Sequence, residues 1–251
     1  MADTQIMQAG LLAAIGLLAG FVNVLAGGGS LLTLPALIFL GLPAATANGT
    51  NRIAILIQNI FAVGSFRRHR VLPLRLALLC TAPALLGSYL GANLAVTIDE
   101  RLFQRLLAGI MLGVLLFNML DPMKRWRREE LLLSRWRIVA LLLCFFGIGI
   151  YGGFVQAGVG FLIITALLIH GLDLVRVNAV KVFVICIFTL IALMVFIRHG
   201  QVNYGLGLAL AAGNAIGGFI ATRMAISKGH DWIKKVVSVT VLVFAIKLLF
   251  S

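Results

Sequence analysis

Acidic side chains are scarce in this chain, and its apolar stretches hold none. Eight of the 251 residues are Asp or Glu, and Asp3, Asp99, Glu100, Asp121, Glu129, Glu130, Asp173 and Asp231 all lie near a terminus or between apolar runs. The chain thus offers no membrane-buried carboxylate as a proton relay or sodium ligand. Histidine is no better placed. His69, His170, His199 and His230 sit at run ends without an HxxxH spacing or a carboxylate partner, so no metal site is expected. Cys80, Cys144 and Cys186 fall singly inside apolar runs without a CxxC pair, and they read as small core residues. Without a nucleophile, base or metal constellation the chain is not expected to be an enzyme, and no cofactor is expected.

What the chain has in abundance is apolar length. Hydrophobic residues make up 61%, charged residues 12%, and the mean hydropathy is +1.08, which describes an all-α polytopic membrane protein in contact with a lipid bilayer. The start, MADTQIMQ, lacks the basic flank of a secretory signal, so the first apolar run is expected to belong to the mature protein. In a soluble chain a net charge of +13 would suggest nucleic acid. Here the basic residues cluster between apolar runs, topology accounts for them, and no nucleic-acid partner is expected.

Apolar segments run at about 10–40, 44–66, 72–96, 102–120, 137–170, 174–197, 202–226 and 232–250. A span needs about 20 residues for a hydrocarbon core of about 30 Å, so 10–40 and 137–170 are too long for single straight helices. Each has glycines at its middle: Gly27, Gly28 and Gly29 in the first, Gly152, Gly153, Gly158 and Gly160 in the second. Glycine weakens a helix by roughly 1 kcal/mol relative to alanine. Each long segment is therefore expected to be two half-length helices joined at a turn.

The parallel extends to a repeat of the whole chain. GFVN at 20–23 is matched by GFVQ at 153–156, and Gly41, Asn48 and His69 are matched by Gly171, Asn178 and His199 at one spacing of 130 residues. Gly87 and Gly91 resemble Gly213 and Gly217, and Asp99 resembles Asp231. The expected organisation is an N-terminal repeat at 1–121, a basic cytoplasmic linker at 122–136 and a C-terminal repeat at 137–251, forming one membrane domain. If each long segment enters and returns as a hairpin, every repeat adds three crossings and the second is inverted. Arg67, Arg68, Arg70, Arg75, the linker, Arg176, Lys228, Lys234 and Lys235 then share the cytoplasmic side, as the positive-inside rule favours. The fold expected is two inverted repeats, each a Gly-broken hairpin followed by three transmembrane helices, a common transporter plan.

The run GFVNVLAGGGSLLTLPALIFLGLPAATANGTNR (20–52) and its echo GGFVQAGVGFLIITALLIHGLDLVRVNAVK (152–181) resemble the TauE/SafE family of membrane transporters, often described as sulfite exporters. The resemblance covers nearly the whole chain and implies efflux of small sulfur oxyanions or organosulfonates, such as sulfite or sulfoacetate, across the bacterial inner membrane.

Residue chemistry points to an anion independently. In the hairpin arrangement the half-helices beginning near Ser30 and Gly160 aim their N-termini at the membrane centre, and unpaired amides at a helix start form an anion site. Glycines 27, 28, 29, 158 and 160 let a ligand approach the backbone closely. Ser30 is expected to cap its helix, and Thr33 lies one turn on. Polar residues inside apolar runs complete the candidate site: Asn23, Asn48, Asn51, Arg52, Gln58 and Asn59, then Gln156, Asn178 and Lys181. Arg52 and Lys181 have no acidic residue in their spans to pair with; either they meet the substrate or they snorkel to an interface. Gly87, Gly91, Gly213 and Gly217 read as helix-packing positions, and their GxxxG faces also allow a homodimer.

The reading is export of a small sulfur-containing anion by alternating access, with the anion between the two Gly-rich tips. With no intramembrane acid, coupling falls to backbone carbonyls, neutral polar groups or the protonation of the substrate. The rivals are an anion channel and a non-transporting membrane enzyme or assembly subunit.

Overall fold

A computed structural model describes residues 2–119, 135–168 and 172–249. Every regular element in it is an α-helix: α1 (Ala2–Leu25), α2 (Ser30–Phe39), α3 (Ala44–Arg68), α4 (Leu74–Thr97), α5 (Glu100–Met119), α6 (Arg135–Phe154), α7 (Val159–Leu168), α8 (Leu174–Arg198) and α9 (Tyr204–Leu249). Within α9 the helical path breaks at Gly229, whose φ is 73°. The basic linker expected at 122–136 lies, apart from its last two residues, outside the described residues.

Both overlong segments are broken at their glycines, but not into equal arms. The first arms are α1, 24 residues, and α6, 20 residues, while the returning arms α2 and α7 have 10 each. The expectation of half-length pairs is thus corrected. At 1.5 Å per residue α1 and α6 extend about 36 and 30 Å, because the apolar run ahead of each break is already nearly a span. α2 turns back along α1, with Leu31, Leu32, Pro35 and Phe39 facing the same groove as Leu11 and Ile15.

Helix starts follow local chemistry. Pro43 and Pro73 precede α3 and α4, where a missing amide costs nothing. Asp173 caps α8 by accepting from the amides of Val175 and Arg176, each at 3.0 Å. The α3 start borrows a carboxylate instead: Glu100 of α5 accepts from the amides of Ala44 and Ala45.

Among the described residues, five helices are long and apolar enough to cross a membrane: Met7–Leu25, Leu74–Thr97, Arg135–Phe154, Leu174–Arg198 and Tyr204–Gly229. α3 has the length, 25 residues, but not the hydropathy. Asn48, Asn51, Arg52, Gln58 and Asn59 are at most 1% exposed; the polar load of α3 faces protein, as a helix at the centre of a bundle permits.

Two seams organise the packing. α1 lies on α9, and α4 lies on α6. A methyl group at Gly213 or Gly217 would collide with the backbone of Ala13 or Leu17, and one at Gly87 or Gly91 with that of Phe146 or Ile150. These small residues let helix backbones touch, as packing positions do in membranes. Their faces are occupied within the chain. α3 adds to the first seam and α8 to the second, giving two bundles, α1–α3–α9 and α4–α6–α8. The bundles meet where α3 crosses α8. Thr50 and Gln58 contact Asn203 and Asn214, so α3 and α9 run the same way. Gly49, near the start of α3, packs on Phe196 and Gln201, at the end of α8, so those two run opposite ways.

Candidate functional site

The two breaks meet. Gly27, at a φ of 88°, lies against Gly160, and a methyl on either would overlap the backbone of the other. A left-handed φ and a backbone-to-backbone contact both require glycine at position 27. α2 and α7 begin at this junction. Leu31 and Phe161 are hydrogen-bonded to the carbonyls of Gly28 and Gly158, each at 3.0 Å. Ahead of them the amides of Gly28, Gly29 and Ser30, and of Gly158, Val159 and Gly160, have no acceptor among the described residues. Two sets of free N–H groups, with the positive ends of two helix dipoles, thus converge.

Ser30 does not cap its helix, contrary to the expectation. The N-cap is Gly29, without a side-chain cap. The Ser30 hydroxyl instead accepts from Asn51 Nδ2 at 3.2 Å, and Asn51 Oδ1 accepts from Thr33 at 2.7 Å. An accepting hydroxyl still has its own proton to donate.

The same breaks leave carbonyls unsatisfied at the ends of α1 and α6, and here the two cations act. Arg52, on α3, donates from Nη1 to the Gly152 carbonyl at 3.1 Å and from Nη2 to that of Gly153 at 2.5 Å. Lys181, on α8, donates to the carbonyls of Asn23 at 3.0 Å and Val24 at 2.6 Å, and to Asn178 Oδ1 at 2.7 Å. In each case the carbonyls taken are the two just before the last helical residue, and the helix capped belongs to the other bundle. Asn48 adds a bond to the Phe154 carbonyl at 2.8 Å. A cation at a helix C-terminus complements its dipole. All three Lys181 protons are placed on protein oxygens, and neither cation snorkels, since both are 0% exposed. The Arg52 guanidinium also lies 4.7 Å above the Phe196 ring.

Asn23 donates to Gln58 Oε1 at 3.3 Å, and Gln156 donates to Thr189 at 2.6 Å. Asn59 is buried with its Nδ2 unpartnered. All sixteen residues expected at the site are buried. Fourteen surround the tips or bond to the ends of α1 and α6; Gln58 reaches them through Asn23, and Asn59 makes no side-chain bond among the described residues. Unpartnered buried atoms recur here: Asn48 Oδ1, Arg52 Nε, Gln58 Nε2, Gln156 Oε1 and Asn178 Nδ2. Such groups carry a desolvation cost until water or a ligand meets them.

Sequence reasoning passed over Asn214. It is 2% exposed, donates to Gln58 Oε1 at 3.2 Å and sits between the packing glycines 213 and 217. Its polarity inside an apolar run was the available signal. Among the described residues no His, Cys, Asp and Glu group could hold a metal ion.

Comparison with known proteins adds an independent finding. A family model described as "Sulfite exporter TauE/SafE" matches residues 12–248. A "Probable membrane transporter protein" of Haemophilus influenzae is 28% identical over 99% of this chain and 97% of its own length. "Probable membrane transporter protein YfcA" of Escherichia coli K12 is 27% identical over 96% and 90%, and "Probable membrane transporter protein ORF9" of a Sinorhizobium species 26% over 92% and 88%. No solved structure matches the chain.

Proposed function

The chain belongs to the TauE/SafE sulfite exporter family of multi-pass membrane transporters, and from that premise we propose that it exports a small sulfur oxyanion or sulfonate across the bacterial inner membrane, bound between the two tips. One observation carries the site. At the junction the negative helix ends are neutralised by Arg52 and Lys181, while the positive ends of α2 and α7 keep their amides free. The net field left for a ligand is positive, and the Ser30 hydroxyl adds a donor. Arg52 and Lys181 act as positioning residues that hold the tips, and Asn48 and Asn178 support them.

The repeats at 1–121 and 137–251 are read as inverted. Support comes from reciprocal seams: Gly16 and Gly20 meet Leu210 and Asn214, as Gly149 and Gly153 meet Ala84 and Ser88. Opposite directions of α3 and α8 fit the same reading. The moving bodies, however, are the bundles α1–α3–α9 and α4–α6–α8, each drawn from both repeats, and not the repeats themselves. The tips are sealed from solvent in this conformation, so a ligand enters by a relative shift of the bundles, which is alternating access.

The test is counterflow of radiolabelled sulfite, sulfoacetate, sulfate and chloride in proteoliposomes. Saturable flux of the sulfur anions is expected. No flux of any anion would overturn the transporter reading, and Ser30→Ala with unaltered KM would remove its hydroxyl from the site.

A further inference from the structure

Away from the tips, α3 and α9 run side by side, and an open groove of about 730 Å³ lies between the last turns of α3 and the stretch of α9 just ahead of its break at Gly229. Its chemistry is graded. The end nearer the tips is floored by Ile60, Phe61 and Phe219, with Phe61 54% exposed. Arg68, two turns past Phe61 on α3, and Arg223, one turn past Phe219 on α9, line the basic mouth of the same groove, with His69 beside them. Arg223 lies 4.4 Å above the Phe219 ring, which joins the basic mouth to the apolar floor.

We propose that this groove holds one anionic phospholipid, its phosphate between Arg68 and Arg223 and an acyl chain over Ile60, Phe61 and Phe219. Three features favour a lipid over a free anion. The floor is aromatic and aliphatic and lies on the outward faces of two helices in a membrane protein. Eight helical residues separate Phe61 from His69, about 12 Å at 1.5 Å per residue, a drop from headgroup depth to acyl depth. The mouth also lies in the stretch that holds Arg67, Arg68 and Arg70, the side assigned to the cytoplasm by positive charge, where anionic lipid surfaces attract basic residues. The arginines give a phosphate bidentate donors, and the floor gives it a reason to arrive on a lipid.

Native mass spectrometry of the full chain released from mixed phosphatidylglycerol and phosphatidylcholine nanodiscs tests this. The expected result is a single retained phosphatidylglycerol, preferred about tenfold, with the preference lost in Arg68→Gln/Arg223→Gln and kept in the control Arg75→Gln. Phe61→Ser is expected to weaken retention while leaving the chain monodisperse. Equal retention of both lipids by the unaltered chain, or undiminished preference in the double variant, overturns the proposal. Release of the lipid by sulfite or inorganic phosphate, with Phe61→Ser without effect, would assign the arginines to a soluble anion and overturn it as well. None of these outcomes depends on transport.

Discussion

The partners of Arg52 and Lys181 explain how two cations without acidic neighbours are tolerated at membrane depth. Each sits on carbonyls that its own half of the chain does not supply, so the charge and the broken helix end relieve one another. Removing either cation orphans two carbonyls. Arg52→Gln and Lys181→Met are each expected to destabilise the protein by about 2–6 kcal/mol at about 1–3 kcal/mol per orphaned group, read as a lowered thermal midpoint in detergent. A role confined to ligand binding would leave that midpoint unchanged while flux fell. Ser30 is the contrasting case. Its hydroxyl is placed by Asn51 but caps nothing, so Ser30→Ala is expected to raise KM severalfold, about 1 kcal/mol for one hydrogen bond, with a smaller fall in thermal midpoint than either cation variant, since one buried donor, Asn51 Nδ2, loses its acceptor. The position of both cations in the first turns of apolar spans was legible in the sequence. Their capping role was not, because the carbonyls they meet lie about 100 and 158 residues away, a pairing no local spacing encodes.

At the scale of elements, the glycine clusters marked both breaks, since a break depends on neighbouring residues alone. Arm lengths were misjudged because the sequence shows where a helix ends but not how deep its far end reaches. The mixing of α9 with α1 and of α4 with α6 was likewise hidden; glycines 87, 91, 213 and 217 announce packing but not a partner. This mixing has a test. The position of a Cβ at Gly207 lies 3.4 Å from the Ile53 Cβ, close to the 3.5–4.5 Å of a disulfide. With the native cysteines replaced by alanine, Ile53→Cys/Gly207→Cys is expected to oxidise and to transport within about twofold of its reduced form, because the bond stays inside one bundle. Inhibition on oxidation, reversed by reductant, would mean that the two repeats rock against one another instead.

For the whole molecule the remaining question is orientation. With α1 and α3 starting at one end, a cysteine at residue 8 or 43 is expected to react with an impermeant maleimide from outside intact cells, and one at residue 173 only after permeabilisation. Opposite sides for 8 and 43 would reject the hairpin arrangement. The crossed caps matter at this scale too. Residues 1–121 contain a helix end completed by Lys181, and residues 137–251 one completed by Arg52 and Asn48. Expressed apart, neither half would have a finished backbone, and each is expected to fold only when the other is present, like the subunits of a heterodimer. Mutational drift is then shared between the halves. An insertion or deletion at one tip is tolerated only with a matching shift of a cation in the other half, so loop-length variation in this architecture is expected to collect everywhere except at its two breaks.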